Sequence, residues 1–257
     1  MDFKLSRSVA SDLRVVASSP STNSDLLALS ADPGVLSFTA LLTLNQTAGR
    51  GRLDRAWVAP PGTALALSVL VRDALRHPLG PWLPLLAGLL LAEAIDEVLP
   101  GRVAIKWPND LLIDGRKVCG ILVEVASNGR DAVVGSGVNL TQTAQQLPVE
   151  TAMSLALAGA VIGDDEVDRI VAGYLGGLRD ALHRPGVETP QAIDQLRGRI
   201  VARCSTVGQR VRVAMGNGST LTGVAVGLDE TGRLEVRAAS GETVAVAVGD
   251  VTHVRPG

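Results

Sequence analysis

Residues 103–125 read VAIKWPNDLLIDGRKVCGILVEV, and no other stretch of the chain carries so clear a structural signal. It begins with a short β-friendly segment. Two apolar runs, 111–113 and 117–125, then flank Asp114 and Gly115. An Asp-Gly pair supplies the positive φ angles of a tight hairpin turn, so the pattern predicts antiparallel strands here. The protein is therefore expected to contain a sheet.

Apolar runs on both sides of this hairpin extend the predicted sheet. Further strands are predicted at 13–16, 36–44, 64–71 and 132–140. A first helix is predicted to begin near 21–23 and to run through 25–29, and further helices are predicted at 79–99, 164–182 and 190–199. From residue 208 the sequence pattern changes to short strands separated by glycine-containing turns. The five strands are predicted at 209–215, 221–228, 234–238, 243–248 and 251–254. Short strands at this spacing are typical of a small β-barrel. The sequence therefore predicts an α+β fold, with an α+β domain at 1–205 and a small β-barrel at 206–257.

Composition limits the classes of function. Of the 257 residues, 46% are hydrophobic and 19% are charged, which allows a sizeable core, while a net charge of −2 and 2% aromatic residues give no general attraction to nucleic acid. Cys119 and Cys204 are too few for a thiol-only zinc site, so we expect buried free thiols in a reducing compartment. The longest apolar run, 82–92, is well short of the ~20 residues that span a bilayer. We expect a cytoplasmic protein that does not contact membranes.

The loop at residues 46–55 reads QTAGRGRLDR and concentrates cationic donors. Arg50, Arg52 and Arg55 alternate with glycines that allow the backbone to approach a phosphate, and guanidinium groups bind phosphate oxygens bidentately. The segment predicts an anion site at the end of a sheet. The alternative is a solvated surface loop.

Two further segments supply polar groups next to predicted strands. In the segment Lys106-Trp107-Pro108-Asn109-Asp110, the carboxylate of Asp110 could hold a metal or a ribose or pair with Lys106, and the alternative is a turn held by Asx hydrogen bonds. Lys117 begins an apolar strand, where it either extends outward to solvent or points inward to meet a negative group.

The segment Gly135-Ser136-Gly137-Val138-Asn139 resembles the start of a dinucleotide fingerprint, but the third glycine and the following helix are absent. Two glycines that flank one residue of a strand instead indicate that a group packs against the backbone there.

Taken in order, these segments resemble the biotin protein ligases over nearly the whole chain. The matching motifs are Ser21-Thr22-Asn23, the loop from Gln46 to Arg55 with Trp57 beyond it, Lys106–Asp110, Lys117 with Gly120–Glu124, Gly135–Asn139, and Gly249–Val251 in a tail that is similar to the SH3-like C-terminal domain of that family. The resemblance implies a mixed-sheet catalytic domain of the biotin/lipoate protein ligase type. It also implies that biotin is activated with ATP and Mg²⁺ and transferred to a lysine of a biotin carboxyl carrier domain.

The resemblance further implies a role for individual residues. Lys117 and Arg52 would be catalytic. Biotin would contact Ser21, Thr22, Asn23, Gln46, Gly120 and Gly137. The nucleotide would contact Gly49, Arg50, Gly51, Arg52, Arg55, Trp57, Asn109, Asp110, Lys117 and Asn139. No side chain is expected to hold a metal, and Mg²⁺ would be bound by the phosphates.

One departure and several alternatives accompany this interpretation. Asp54 stands where the family has glycine, so a carboxylate among the arginines could weaken the anion site, or strain the loop if that position needs φ above zero. The alternatives are a lipoate ligase or octanoyltransferase, and a protein that binds biotin without turnover. Some relatives repress transcription through an N-terminal helix-turn-helix; we expect no operator binding here. The sequence leaves open whether the protein is a homodimer.

Overall fold

The structure, a computed structural model, describes residues 1–215, 218–247 and 249–253, without the side chains of Asp54 and Asp250. The helices in this part are α1 (Lys4–Val9), α2 (Thr22–Leu29), α3 (Leu83–Ile95), α4 (Asp164–His183) and α5 (Pro190–Arg203). The first nine strands are β1 (Asp12–Val15), β2 (Thr39–Thr43), β3 (Gly49–Arg50), β4 (Ala56–Trp57), β5 (Ala64–Val71), β6 (Val103–Lys106), β7 (Asp110–Ile113), β8 (Arg116–Val125) and β9 (Ala132–Asn139). The remaining strands are β10 (Arg210–Met215), β11 (Thr220–Leu228), β12 (Leu234–Ala238), β13 (Thr243–Val246) and β14 (Gly249–His253).

Seven of these strands form one mixed sheet in the order β1-β2-β5-β9-β8-β7-β6. The pairing of β1 with β2 is parallel and the other pairings are antiparallel. The predicted hairpin forms β7 and β8, with Asp114 at φ 50° and Gly115 at φ 74° in its turn. The predicted α+β class with a mixed sheet is therefore confirmed.

Helix α3 packs against the sheet and is covered on its other side by α4 and α5. Its sequence, LPLLAGLLLAEAI, is apolar almost all round, as expected of a helix that lies between two layers. The predicted helix at 79–99 is too long at both ends. A 3₁₀ turn precedes Leu83, and the helix ends at Ile95, after which the side chain of Asp96 accepts a hydrogen bond from the backbone of Gly101.

Helix α1 was not predicted, and a carboxylate far along the chain holds its start. Asp168, on α4, accepts hydrogen bonds from the backbone N–H groups of Leu5 and Ser6 at 2.9 Å and from the Ser6 hydroxyl at 2.5 Å. Burial of Asp168 acts to raise its pKa, but these hydrogen bonds outweigh burial and hold the pKa of this carboxyl below its ordinary value.

The C-terminal strands form a five-stranded antiparallel sheet in the order β13-β12-β11-β10-β14. All five predicted strands are present, although the predicted ends at residues 248 and 254 lie outside the described residues. The sheet is attached to the first domain by two indole N–H groups, because Trp82 donates to the carbonyl of Glu230 and Trp107 to that of Gly232. The domain boundary near residue 205 remains a prediction.

Cys119 and Cys204 are both buried and free, as predicted. Within the residues that the structure describes, no helix is long and apolar enough to cross a membrane.

Candidate active site

Three small residues lie side by side across the centre of the seven-stranded sheet. Ala66 of β5 pairs with Gly137 of β9, and Gly137 pairs with Gly120 of β8. The row continues to Asp110 of β7, so it ends at a carboxylate. Because glycine has no Cβ, the backbone of β8 and β9 is open to a flat group. We call Ala66, Gly137 and Gly120 the floor of the site.

A cleft of about 160 Å³ lies on this floor. Its walls come from the start of α2, the loop between β2 and β5, the segment 106–110 and strand β14. Most of the predicted site residues line it: Ser21, Thr22, Asn23, Gln46, Arg50, Gly51, Arg52, Arg55, Trp57, Asn109, Asp110, Lys117, Gly120 and Gly137. Two do not, Gly49 and Asn139.

The indole of Trp57 lies directly on the floor. A Cβ at Gly137 would be 2.6 Å from Cε2 of Trp57, and a Cβ at Gly120 would be 3.4 Å from its Cζ3. The group that packs against these glycines in this structure is therefore part of the protein. The indole lies against Gly120 and Gly137, the two glycines that the resemblance assigns to biotin.

Lys117 points into the cleft because strand β8 contains a β-bulge. The register between β7 and β8 shifts at Leu111 and Leu112, so that Val118 has no partner. An extra residue reverses the alternation of faces, which brings Lys117 to the same face as Gly120 although they are three residues apart. A Cβ at Gly120 would be 3.1 Å from Nζ of Lys117. Of the two predicted orientations, the inward one is correct.

The negative group that Lys117 meets is Asp110. Nζ of Lys117 lies 2.7 Å from Oδ1 of Asp110 and 5.9 Å from the centre of the Trp57 ring. The suggested pairing of Asp110 with Lys106 is therefore wrong. Lys106 is directly opposite Asp110 in the β6–β7 register, but the side chain that reaches the carboxylate comes from β8.

Two arginines of the loop are held across the cleft. One nitrogen of Arg50, Nη2, donates to both carboxylate oxygens of Glu124, at 2.9 and 2.8 Å. Arg52 donates to Oδ1 of Asn109 at 2.9 Å and to the carbonyl of Gly249 at 3.4 Å. The C-terminal sheet therefore contributes a contact to the loop.

The backbone of this loop is folded into a tight turn. The N–H of Gly51 donates to the carbonyl of Arg55 at 2.6 Å. Leu53 lies in the left-handed region, at φ 56°. The side chain of Asp54, and with it the suggested pairing to the arginines, lies outside the described residues.

The other end of the cleft is built around the start of α2. Ser21 is the N-cap of that helix, and its side chain accepts from the N–H of Ser24. Oε1 of Gln46 accepts from the backbone N–H of Thr22 at 2.9 Å and lies 3.2 Å from its hydroxyl. These contacts bring hydroxyl and amide groups together at one point, which is suited to a small ligand with its own polar N–H and C=O groups.

The two residues outside the cleft have visible structural tasks. A Cβ at Gly49 would lie 2.4 Å from Nε2 of Gln46 and 2.6 Å from the carbonyl oxygen of Trp57, so only glycine lets these groups approach. The side chain of Asn139 is buried, where it donates to the carbonyl of Met153 and accepts from Gln142. Its placement favours support of a loop over contact with a nucleotide.

Sequence reasoning missed Ser68, Glu124 and Val251 as parts of the site region. Ser68 and Glu124 bond to predicted site residues, and Val251 lines the cleft. One signal was available for Ser68, because it is the one polar residue of an otherwise apolar strand, ALALSVLV. Glu124 and Val251 lie in short motifs, but no spacing rule connects them to the loop.

Cationic side chains outnumber carboxylates among the described residues that line the cleft. Among its described lining residues, five side chains are cationic and one is a carboxylate, Asp110; the cations are Arg50, Arg52, Arg55, Lys106 and Lys117. Beneath the floor, burial raises the pKa of the Cys119 thiol far above its ordinary value, although nearby Lys117 acts to lower it. A thiol that stays protonated is not a nucleophile. The cationic side chains of the cleft, and not this thiol, suit the site to reactions between bound anions.

Comparison with known proteins identifies the family. Residues 18–140 match the biotin/lipoate A/B protein ligase family, and residues 206–254 match the C-terminal domain of biotin protein ligase. Two curated relatives are biotin–acetyl-CoA-carboxylase ligases. The one from Mycobacterium tuberculosis is 37% identical over 248 residues, 95% of this chain and 89% of that protein. The one from Paracoccus denitrificans is 29% identical over 240 residues, 90% of this chain and 96% of that protein.

A solved structure agrees with the sequence comparison. Biotin protein ligase from Aquifex aeolicus, in complex with biotin and ATP, superposes with a TM-score of 0.76 at 25% identity, covering 95% of this chain and 100% of that one. The chain is thus a ligase enzyme, and it belongs to the biotin protein ligases of the biotin/lipoate A/B protein ligase family.

Proposed function

We propose that the protein activates biotin with ATP, giving biotinyl-5′-AMP and pyrophosphate, and then transfers the biotinyl group to a lysine of a biotin carboxyl carrier domain. The observation that carries this proposal is the excess of cationic side chains beside a glycine floor in one cleft. The first step brings together a carboxylate and a triphosphate, so compensation of negative charge is its main physical requirement. The names of the relatives support biotin as the acid.

In the first half-reaction a carboxylate oxygen of biotin attacks the α-phosphorus of ATP. The bond from that phosphorus to the oxygen that bridges to the β-phosphate breaks, and pyrophosphate leaves. Lys117 would stand between the carboxylate and the α-phosphate, where its ammonium compensates both charges. Its present partner, Asp110 at 2.7 Å, holds the ammonium at the edge of the floor. Arg50 and Arg52 would compensate the charge on the phosphates.

Biotin would bind with its ureido ring at the start of α2 and its apolar rings on the floor. Ser21, Thr22 and Gln46 supply the polar groups for the ureido ring. The cleft of about 160 Å³ is smaller than the ~300 Å³ of small ligand pockets. Trp57 must therefore leave the floor when biotin enters, and would then cover the bound ligand or lie near the adenine.

In the second half-reaction the amine of a carrier lysine attacks the carbonyl carbon of the adenylate. The bond from that carbon to the phosphate oxygen breaks, AMP leaves, and the amine gives up a proton to solvent. Asn109 and Asp110 would shape the nucleotide end of the site. The arginine loop, closed over the adenylate, would exclude water that would otherwise hydrolyse it.

Mg²⁺ would enter this site on the phosphates of ATP. Among the described residues, no group of three or more His, Cys, Asp and Glu side chains could hold a metal ion. Mg²⁺ keeps several water ligands and is commonly bound through substrate phosphates, so the donor set here fits that mode. When bound, it would add positive charge to the phosphates.

Intact-mass spectrometry of an apo biotin carboxyl carrier domain tests the proposal. The carrier is incubated with the protein, biotin, ATP and Mg²⁺, with parallel reactions that omit ATP or replace biotin with lipoate. We expect a gain of one biotinyl group that requires ATP and does not occur with lipoate. A gain with lipoate would reassign the acid, and the absence of both transfer and pyrophosphate release would leave a binding protein. Size-exclusion chromatography with and without biotin and ATP would show whether a homodimer forms.

A further inference from the structure

Ser68 is a fully buried hydroxyl in the centre of the sheet. It lies on β5, opposite Gly135 of β9 and two residues along the strand from Ala66 of the floor. Its Oγ is 2.6 Å from Oδ1 of Asn23 and 2.8 Å from Oγ1 of Thr22. A hydroxyl carries one hydrogen, and Oδ1 of Asn23 can only accept, so Ser68 donates to Asn23 and accepts from Thr22.

Asn23 is fixed by the protein at every polar atom of its side chain. Oδ1 accepts from Ser68, while Nδ2 donates to the carbonyl of Leu122 at 3.1 Å and to Oε2 of Glu124 at 2.8 Å. A Cβ at Gly135 would lie 2.1 Å from Oδ1 of Asn23, so the glycine is what makes room for this amide. Asn23 thus bridges from β5 to β8 across the glycine.

Glu124 connects this bridge to the arginine loop. Its Oε2 accepts from both Asn23 and Arg50 at 2.8 Å, and its Oε1 accepts from Arg50 at 2.9 Å. The result is one continuous chain of hydrogen bonds, which we call the relay: Thr22, Ser68, Asn23, Glu124 and Arg50. Hydrogen bonds to charged groups in a partly buried setting are among the stronger ones in proteins.

We propose that Ser68 and Glu124 are positioning residues that couple the ring-binding end of the cleft to the arginine loop through Asn23. The inference rests on the proposed function, in which Thr22 contacts biotin and Arg50 contacts phosphate. Neither Ser68 nor Glu124 needs to touch a substrate. Each fixes the orientation of the next group in the relay, so the occupation of one end determines how firmly the other end is held.

The test measures ligand binding at both ends of the relay, in variants that alter only residues in its middle. Biotin Kd is measured by calorimetry, and dissociation of preformed labelled biotinyl-5′-AMP by chase with unlabelled adenylate. Ser68→Ala does not touch Arg50, yet we expect it to speed adenylate dissociation by about 5- to 10-fold. Glu124→Gln does not touch Thr22, yet we expect it to weaken biotin binding by a similar factor and to speed adenylate dissociation about tenfold.

The double variant distinguishes coupling from two separate defects. If both residues act through Asn23, the double variant should lose adenylate no more than about twice as fast as the worse single variant. Ser6→Ala is the matched control for Ser68, because Ser6 is equally buried but bonds to Asp168 on the helical side. Glu93→Gln, which breaks an ion pair with Arg199 between α3 and α5, is the control for Glu124. Both controls should keep wild-type constants.

Three results would overturn the inference. The first is adenylate dissociation in Ser68→Ala at the wild-type rate. The second is a double variant in which the increase in adenylate dissociation rate equals the product of the increases in the two single variants. If Ser68→Ala does not fold, Ser68→Cys keeps the shape with a weaker donor and must show the same direction of change. The third is failure of the wild-type protein itself to form biotinyl-5′-AMP, which refutes the proposed function and removes the purpose of the relay. The wild-type reaction separates that failure from the first two.

Discussion

Addition of one methyl group to the floor, in the variant Gly137→Ala, tests whether Trp57 and biotin use the same space. The new Cβ would lie 2.6 Å from Cε2 of Trp57, 2.9 Å from Cζ2 and 3.0 Å from Nε1. Carbon atoms in contact are about 3.5–4.0 Å apart, so the indole must retreat by about 1 Å. The methyl group would also stand where the rings of biotin are proposed to lie.

Two magnitudes follow from this geometry. Overpacking a core costs about 1–3 kcal/mol, and we expect the lower end because Trp57 lies on a two-residue strand at the mouth of the cleft. For a chain of this length, a loss of about 1 kcal/mol lowers Tm by roughly 2–4 °C. Biotin cannot retreat in the same way from the sheet, so its Kd should rise at least about tenfold, which is about 1.4 kcal/mol.

Calorimetric titration with biotin and thermal unfolding measure the two effects separately. Gly198→Ala is the control, since a Cβ at this helical position of α5 meets nothing within 4 Å and should leave biotin binding unchanged. The tryptophan emission of Gly137→Ala should differ from that of the wild type because Trp57 is displaced. An unchanged biotin Kd together with a lowered Tm would refute the placement of biotin on the floor.

Four further predictions concern single residues. Lys117→Ala should lower pyrophosphate release at least about 100-fold with an unchanged circular dichroism spectrum, and near wild-type release would remove Lys117 from the mechanism. Arg52→Gly loses its contacts across the cleft, so it should biotinylate non-cognate lysines, visible by mass spectrometry of an added bystander protein. Asp54→Gly should release pyrophosphate at an equal or higher rate, and a large drop would show that the carboxylate has its own task. Asp168→Asn should lower the free energy of unfolding at pH 7 by about 2 kcal/mol, measured by urea denaturation. Because hydrogen bonds from α1 outweigh burial and hold the pKa of Asp168 below its ordinary value, its contribution is present above that value and lost as pH falls, so the deficit should shrink toward pH 3.

Regular elements were predictable where local pattern and tertiary environment agree. Strands 64–71 and 103–106 match the structure residue for residue, since each is an apolar run ended by a polar or proline-containing segment. The hairpin at 114–115 follows from the need for positive φ. In these segments the information lies within about ten residues, which is the range over which sequence patterns act.

The orientation of Lys117 was not predictable in this way. Simple alternation places Lys117 and Gly120 on opposite faces of β8, and only the bulge at Val118 brings them together. Nothing in the run KVCGILVEV marks a bulge. The register is set by β7 and β9 on either side, which the local sequence does not contain.

Helix α1 illustrates the same limit for helices. Its six residues, KLSRSV, include only two apolar side chains, and the N-cap, Phe3, makes no side-chain cap. Asp168 provides the cap from 162 residues away. A short helix is marginal in water, so its formation depends on this distant carboxylate and on the packing of α1 against α4.

The contact between Gly135 and Asn23 constrains how the sequence can change over generations. Any side chain at position 135 would meet the amide 2.1 Å away, so a larger residue there is admissible only after Asn23 has been shortened. A shortened residue 23 would first remove one hydrogen-bond partner from the Ser68 hydroxyl and one from Glu124. Either order of substitution passes through an intermediate sequence that has a steric clash or has lost hydrogen bonds. We therefore expect positions 23, 68, 124 and 135 to be inherited as a set, and substitutions at one to be tolerated only in lineages that have replaced the others.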